Sequence, residues 1–304
     1  LGLSREVNKV MKITDELQHP CCPIGSWGAP LKVPHGLKSF DGVHGESAMI
    51  GPENNLEVYV TKPDVAADKA IMVFTDVYGL QNRLFAILDK LAKDLKLYVV
   101  AMDCFRGETK DKHLNDFVDW LRRHPFEDDQ SIKGENVMVH PVRKDIDSCF
   151  EFLSVQFGID SSNVGAIGFC WGVWAMMKAC AMGISFKCGV GFHPSLVIED
   201  RAFEMDHLNI ARLAAERMPL LLCVAGNDHD NLKPPDGEVA RIISSSKHSN
   251  GDTEEVGTKQ QPKCVDFPDQ KHGWVSRGDT SIKEVREDAE KALKMSTEFL
   301  LDWM

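Results

Sequence analysis

No stretch of this 304-residue chain approaches the roughly 18 to 20 consecutive apolar residues that cross a bilayer. Its longest apolar runs, such as 217–225, have the length of a strand. Positive charge is scarce as well: 35 Lys and Arg stand against 46 Asp and Glu, a formal net charge of −11. A net-acidic surface repels phosphate backbones. The nearest basic clusters, Arg122–Arg123 and Arg143–Lys144, sit among acids and read as solvated helix faces. Neither nucleic acid nor a membrane is therefore expected as a partner. There is no Asn-x-Ser/Thr sequon, and the nine cysteines are odd in number and without a repeated spacing. Reduced thiols in the cytoplasm are the expectation, with an organelle left open because the chain opens on Leu1. Neither the Cys21–Cys22 pair nor any CxxC arrangement has the spacing of a zinc site, so no metal is expected.

What is present is an ordinary globular composition, 43% hydrophobic and 27% charged. A chain this long buries about three quarters of its unfolded surface, enough for one large core without metal or disulfide staples. Residues 1–55 are rich in Gly, Pro and His and lack periodicity after a predicted short helix over 4–18. They read as an irregular arm packed on the body. From Leu56 the pattern changes to short apolar runs alternating with amphipathic helices, the signature of a mostly parallel α/β sheet. Strands are predicted at 56–61, 70–75, 97–102, 163–168, 187–192, 219–225 and 263–267. Three helical stripes lie between or after them: Leu84 to Leu95, Val142 to Phe157 and Val285 to Leu300. The polar, turn-rich segment 246–262 reads as a loop insertion. The organisation predicted is one doubly wound α/β domain over 56–304 with the arm before it.

The sharpest local signal is Gly168-Phe169-Cys170-Trp171-Gly172, where an apolar strand runs through G-x-C-x-G into a helix. This is the nucleophile elbow of α/β-hydrolases with Cys in place of Ser. The strained turn needs glycine on both flanks, because a Cβ at 168 or 172 would meet neighbouring backbone. The helix N-terminus then favours a thiolate and a developing oxyanion. A thiol nucleophile needs a base, and the base an orienting carboxylate. In the expected order these are Asp228, just past the strand at 219–225, and His272, just past that at 263–267. His193 and His229 are the rival histidines. Two other readings stand beside the enzyme: a non-catalytic scaffold that binds a ligand or protein, and a thiol-redox sensor acting through Cys170. The redox reading wants a resolving thiol near Cys170, with Cys104 and Cys223, at predicted strand ends, as candidates.

The chain resembles the dienelactone hydrolase family of α/β-hydrolases. The matching segments are Gly168 to Gly172, Gly226-Asn227-Asp228-His229, and His272-Gly273-Trp274-Val275-Ser276-Arg277-Gly278. Asp76-Val77-Tyr78-Gly79 and Asp103-Cys104-Phe105-Arg106-Gly107 match too, and Cys21-Cys22-Pro23 is similar to the start of many eukaryotic members. The resemblance implies a Cys170–His272–Asp228 triad that cleaves a small ester, thioester or enol-lactone through an acyl-enzyme, with no cofactor. It implies an oxyanion hole from the backbone N–H groups of Val77 and Trp171, and a substrate carboxylate gripped by Arg106 and Arg277. Asp76 stands where bacterial members carry Glu, a carboxylate held to engage the resting thiol. Trp171, Trp174 and Trp274 are candidates for narrowing the pocket.

Overall fold

The computed structural model describes residues 21–29, 45–128, 138–248 and 259–304. Eight strands form one sheet in the order β1-β2-β4-β3-β5-β6-β7-β8. They are β1 (Glu46–Ile50), β2 (Leu56–Thr61), β3 (Ala70–Phe74), β4 (Tyr98–Met102), β5 (Val164–Phe169), β6 (Gly189–Phe192), β7 (Leu220–Ala225) and β8 (Lys263–Phe267). From β4 through β3 to β8 every neighbouring pair is parallel, and only β1·β2 and β2·β4 are antiparallel. All seven strands expected from the sequence are found.

The helices are α1 (Asn82–Leu95), α2 (Phe117–Arg122), α3 (Val142–Phe157), α4 (Trp171–Ala181), α5 (Ile198–Phe203), α6 (His207–Arg217), α7 (Glu238–Ser245), α8 (Trp274–Arg277) and α9 (Lys283–Trp303). They cover both faces of the sheet, as the side-chain alternation of β3 makes plain. Ala70, Met72 and Phe74 point into the core built with α3, α4, α6 and α7, whereas Ile71 and Val73 point into the core built with α1 and α9. A parallel sheet buried on both faces yields near-continuous apolar strands, and every residue of β3, β4, β5, β6 and β7 is buried. No described helix is long and apolar enough to cross a membrane.

The segment read as an irregular arm differs at its end, where β1 pairs with β2 from Glu46↔Val60 to Ile50↔Leu56. Its sequence, ESAMI, lacks a clean apolar alternation because it is an edge strand buried only at Ile50. The hairpin turn behind it places Gly51 and Asn54 at positive φ, residue types that tolerate this geometry. The predicted helix over 4–18 lies outside the described residues, as does most of the 246–262 insertion.

Parallel strands all end at one edge, and in open α/β sheets ligands bind outside the carboxyl ends of the strands. Along that edge the chain sets Asp76 after β3, Asp103 after β4, Cys170 after β5, His193 after β6, Asp228 after β7 and His272 after β8.

Candidate active site

Cys170 sits between β5 and α4 at φ 54°, ψ −114°, backbone that a non-glycine residue adopts only under constraint. Its N–H donates to the Phe192 carbonyl (3.0 Å) and its carbonyl accepts from Ser195 N–H (3.2 Å), which ties the turn to the end of β6. The flanking glycines are needed for the reason read from the sequence. A Cβ on Gly168 would lie 2.6 Å from the Gly172 carbonyl oxygen, and one on Gly172 2.2 Å from the Phe74 carbonyl oxygen. That second contact also fixes the start of α4 against the end of β3. The Cys170 side chain is wholly buried.

Asp228 and His272 converge. The His272 Nδ1 and the Asp228 Oδ1 are 2.6 Å apart, both side chains are fully buried, and Oδ2 of the same carboxylate accepts the Ala225 N–H at 2.7 Å. The main chain of His272 is held too, its N–H donating to Asn227 Oδ1 (2.6 Å). A carboxylate on Nδ1 fixes the ring and leaves Nε2 as the working nitrogen. That Nε2 is buried without a hydrogen-bond partner among the described residues. Burial alone would push the His272 imidazolium down; the charges of Cys170 and then Asp228 beside it outweigh burial and raise it well above the usual histidine value. Of the rivals, His229 uses Nδ1 to accept from Asn231 N–H. His193 lies edge-on to the His272 ring (5.0 Å) and faces Ser276 Oγ at 3.5 Å. Burial, with the charges of His272 and Arg277, pushes it well down, which makes it a weak base.

The thiols nearest Cys170 are not those expected. The Cys21 sulfur lies 3.1 Å from Cys170 Sγ, that of Cys22 3.8 Å from Cys170 and 3.6 Å from Cys21, and Ser195 Oγ 3.4 Å from Cys170. Cys104 and Cys223 are absent from this cluster and buried elsewhere, burial pushing the Cys223 thiol up to about 12. Residues 21–29 are stitched over the crevice by the loops that carry the site. Ser195 Oγ donates to the Cys21 carbonyl, Asn227 Nδ2 to the Ile24 carbonyl, Trp27 N–H to the His272 carbonyl and Arg277 Nε to the Trp27 carbonyl. The Cys21-Cys22 match in the family resemblance was the one sequence signal for this cap; its contact with residue 170 was not readable from spacing.

Asp76 does not reach for the thiol. Its Oδ1 accepts from Tyr78 N–H (2.9 Å), and its Oδ2 from Ser276 Oγ (2.8 Å) and Arg277 Nη1 (2.5 Å). Arg277 is buried, stacked on Tyr78 with its guanidinium carbon 4.9 Å from the ring centre, and its Nη2 has no partner among the described residues. The Arg106 guanidinium is taken in a two-pronged pair by Asp145 (2.9 and 2.6 Å) over a groove of about 450 Å³ that neither Cys170 nor His272 lines. Val77 and Trp171 are buried at the ends of adjacent strands β3 and β5, the place from which two N–H groups can face one sulfur. Trp174 Nε1 donates to Glu199 (2.6 Å) on the far side of α4, a structural role, while Trp274 packs on His193.

Comparison with known proteins gives the same frame. The model of the dienelactone hydrolase family matches residues 56–303. A carboxymethylenebutenolidase homolog of Xenopus tropicalis is 27% identical over 92% of this chain and 96% of its own. The Homo sapiens homolog is 23% identical over 73% and 77%. Among solved structures, a dienelactone hydrolase of Klebsiella pneumoniae superposes with a TM-score of 0.57 at 17% identity, covering 84% of this chain and 98% of its own. A dienelactone hydrolase-like promiscuous phosphotriesterase from metagenomic libraries superposes with 0.58 at 14%, covering 85% and 98%. The fold is that of the α/β-hydrolases.

Proposed function

The chain belongs to the dienelactone hydrolase family, and from that membership and the geometry of the crevice we propose that it hydrolyses a small ester, thioester or enol-lactone with Cys170 as nucleophile, His272 as base and Asp228 as the group that orients it. The observation that carries this reading is the 2.6 Å bond between Asp228 and His272 Nδ1, which leaves Nε2 unbonded beside a sulfur held at a strained strand-to-helix turn. In the first half-reaction the sulfur, its proton held or accepted by His272, attacks the carbonyl carbon. The resulting oxyanion faces the N–H groups of Trp171 and Val77. The bond from the carbonyl carbon to the leaving oxygen, or in a thioester the leaving sulfur, then breaks, His272 gives its proton to the leaving group, and an S-acyl enzyme remains. Water, deprotonated by His272, releases the acid. Preorganised donors at a developing oxyanion are commonly worth about 10²–10³ in kcat.

The free Nη2 of Arg277 favours substrates that bear a carboxylate, since a forked guanidinium with one arm already on Asp76 has a second arm to offer. The crevice is closed in this conformation, Cys170 and His272 being wholly buried under Cys21. Substrate entry therefore requires residues 21–29 to lift from the strand ends.

The test is a panel of p-nitrophenyl esters, thioesters and five-membered enol-lactones assayed on the wild type and Cys170→Ala together. At least one class should be turned over by the wild type with an S-acyl adduct trapped on Cys170, and the variant should fall to background while its circular dichroism is unchanged. Turnover that survives the substitution would remove the reading.

A further inference from the structure

Three buried cysteine sulfurs meeting at one place is more than capping of a nucleophile requires. Cys21, Cys22 and Cys170 are 2% exposed or less, and their sulfurs are separated by 3.1, 3.6 and 3.8 Å. In a tetrahedral thiolate site with Zn–S bonds of about 2.3 Å the sulfurs stand about 3.8 Å apart. One of the three edges already has that length, a second is 3.6 Å, and the third, at 3.1 Å, has to open by about 0.7 Å. The donor set is all soft, with no carboxylate in the cluster, which disfavours Mg²⁺ and Ca²⁺ and suits a thiophilic cation.

The sulfurs are drawn together by the fold itself, since the Cys21 carbonyl is bonded by Ser195 and Cys170 sits at the elbow of the adjacent strand. Ser195 Oγ, whose proton goes to the Cys21 carbonyl, lies 3.4 Å from Cys170 and accepts from Cys21 Sγ at 3.7 Å, which holds the sulfurs at one place. The N-terminus of α4 at Cys170 supplies positive potential to a site with excess thiolate charge.

We propose that Cys21, Cys22 and Cys170 bind one Zn²⁺ ion through their three sulfurs, and that filling this site silences the hydrolase. The silencing half rests on the reading of Cys170 and His272 as nucleophile and base; the binding half does not. On binding, three Zn–S bonds form, the protons of the three thiols leave to solvent, and no electron moves. A Cys170 sulfur whose lone pair is on zinc has nothing left for attack on a carbonyl. The ion would also pin the arm to the elbow and hold the crevice shut.

The experiment uses the full chain, reduced with a phosphine and stripped with a chelator, titrated with Co²⁺ as a spectroscopic probe and then with Zn²⁺. The expected result is one equivalent of Co²⁺ with sulfur-to-cobalt charge-transfer absorption and the intense visible bands of a tetrahedral site, displaced by one equivalent of Zn²⁺. Cys21→Ser and Cys22→Ser should each weaken Co²⁺ binding by about 100-fold or more, and circular dichroism checks that they fold. Ester turnover by the wild type should fall with the first equivalent of Zn²⁺ and return on adding chelator. Absence of charge-transfer absorption in the reduced wild type would overturn the proposal, as would a spectrum unchanged by both serine substitutions. Recovery of the protein only as a Cys21–Cys170 disulfide that binds no cobalt when reduced would overturn it in favour of a redox pair. Stoichiometric zinc with undiminished turnover would overturn the silencing. A chain that hydrolyses none of the esters still reports binding through the cobalt spectrum, so failure of the hydrolase reading is distinguishable from failure of the site.

Discussion

Asp228 divides its two oxygens between the imidazole of His272 and the backbone N–H of Ala225, so its position is fixed by the end of β7 before the histidine arrives. The isosteric Asp228→Asn keeps that shape while placing an amide donor or an uncharged acceptor against Nδ1. The ring then loses both its preferred tautomer and the charge that stabilises imidazolium. Turnover of the best ester in the panel is expected to fall by about 10²–10⁴ in kcat with KM little changed, by analogy with the serine triad. Initial-rate kinetics on the variant decide it: a loss confined to KM would mean that Asp228 is only scaffolding.

His124 makes a second residue-scale prediction, about pH. It is buried beneath Phe105 and Trp120, and its Nδ1 lacks a partner among the described residues. Burial first, then the facing charges of His140, Arg106, Arg123 and His113, pushes it down to about 3. Between about 3 and the ordinary 6.5 the unfolded chain binds a proton that the folded chain refuses. This contribution to stability is therefore complete above pH 6.5 and is lost as pH falls towards 3, at up to about 1.4 kcal/mol per pH unit. His124→Gln should flatten that part of the profile. Urea midpoints at pH 7 and pH 5 are expected to differ less in the variant than in the wild type, and equal differences would show that His124 titrates normally.

At the scale of elements, α4 is fastened to α5 by a buried polar knot. Lys178 Nζ and Trp174 Nε1, one turn apart on α4, both donate to Glu199 of α5 at 2.6 Å. Removing one member of a buried ion pair strands the other charge, which costs about 3–5 kcal/mol. Glu199→Ala should be destabilised by that order in urea unfolding, and the paired change Lys178→Met with Glu199→Leu should recover most of it. A single-variant loss below about 1 kcal/mol would mean that water or another group satisfies Lys178. Half of this knot was visible in the sequence, since Lys178 is the one charge in the apolar helix Trp171–Ala181 and a buried charge needs a partner, but spacing does not say that the partner is Glu199. The apolar elements were legible from pattern alone. The stripe Leu84 to Leu95 is wholly buried along α1, and the doubly buried strands leave uninterrupted apolar runs. β1 escaped because an exposed edge strand carries almost no such pattern.

On the scale of the whole molecule, sequence order and spatial convergence are different kinds of information. The parallel topology turns the order Cys170, Asp228, His272 into neighbourhood, because each follows a strand that ends at the same edge. Once the fold was recognised, those three residues could be named in advance. Arg106 sits at that edge as well, yet Asp145 on α3 claims it, a pairing that order alone does not reveal. The arm obeys no topological rule at all, and Cys21 reaches Cys170 across 149 positions through backbone bonds to Ser195, Asn227, His272 and Arg277. Those bonds make the arm a separate unit of stability, able to open while the sheet stays folded. A chain beginning at residue 30 should therefore be alkylated at Cys170 by iodoacetamide at least about tenfold faster than the full chain, since each ~1.4 kcal/mol of arm docking protects by a factor of ten. Intact-mass spectrometry after timed quenching, with peptide mapping to locate the label, reads the two rates. Equal rates would place the route to the sulfur elsewhere than beneath the arm.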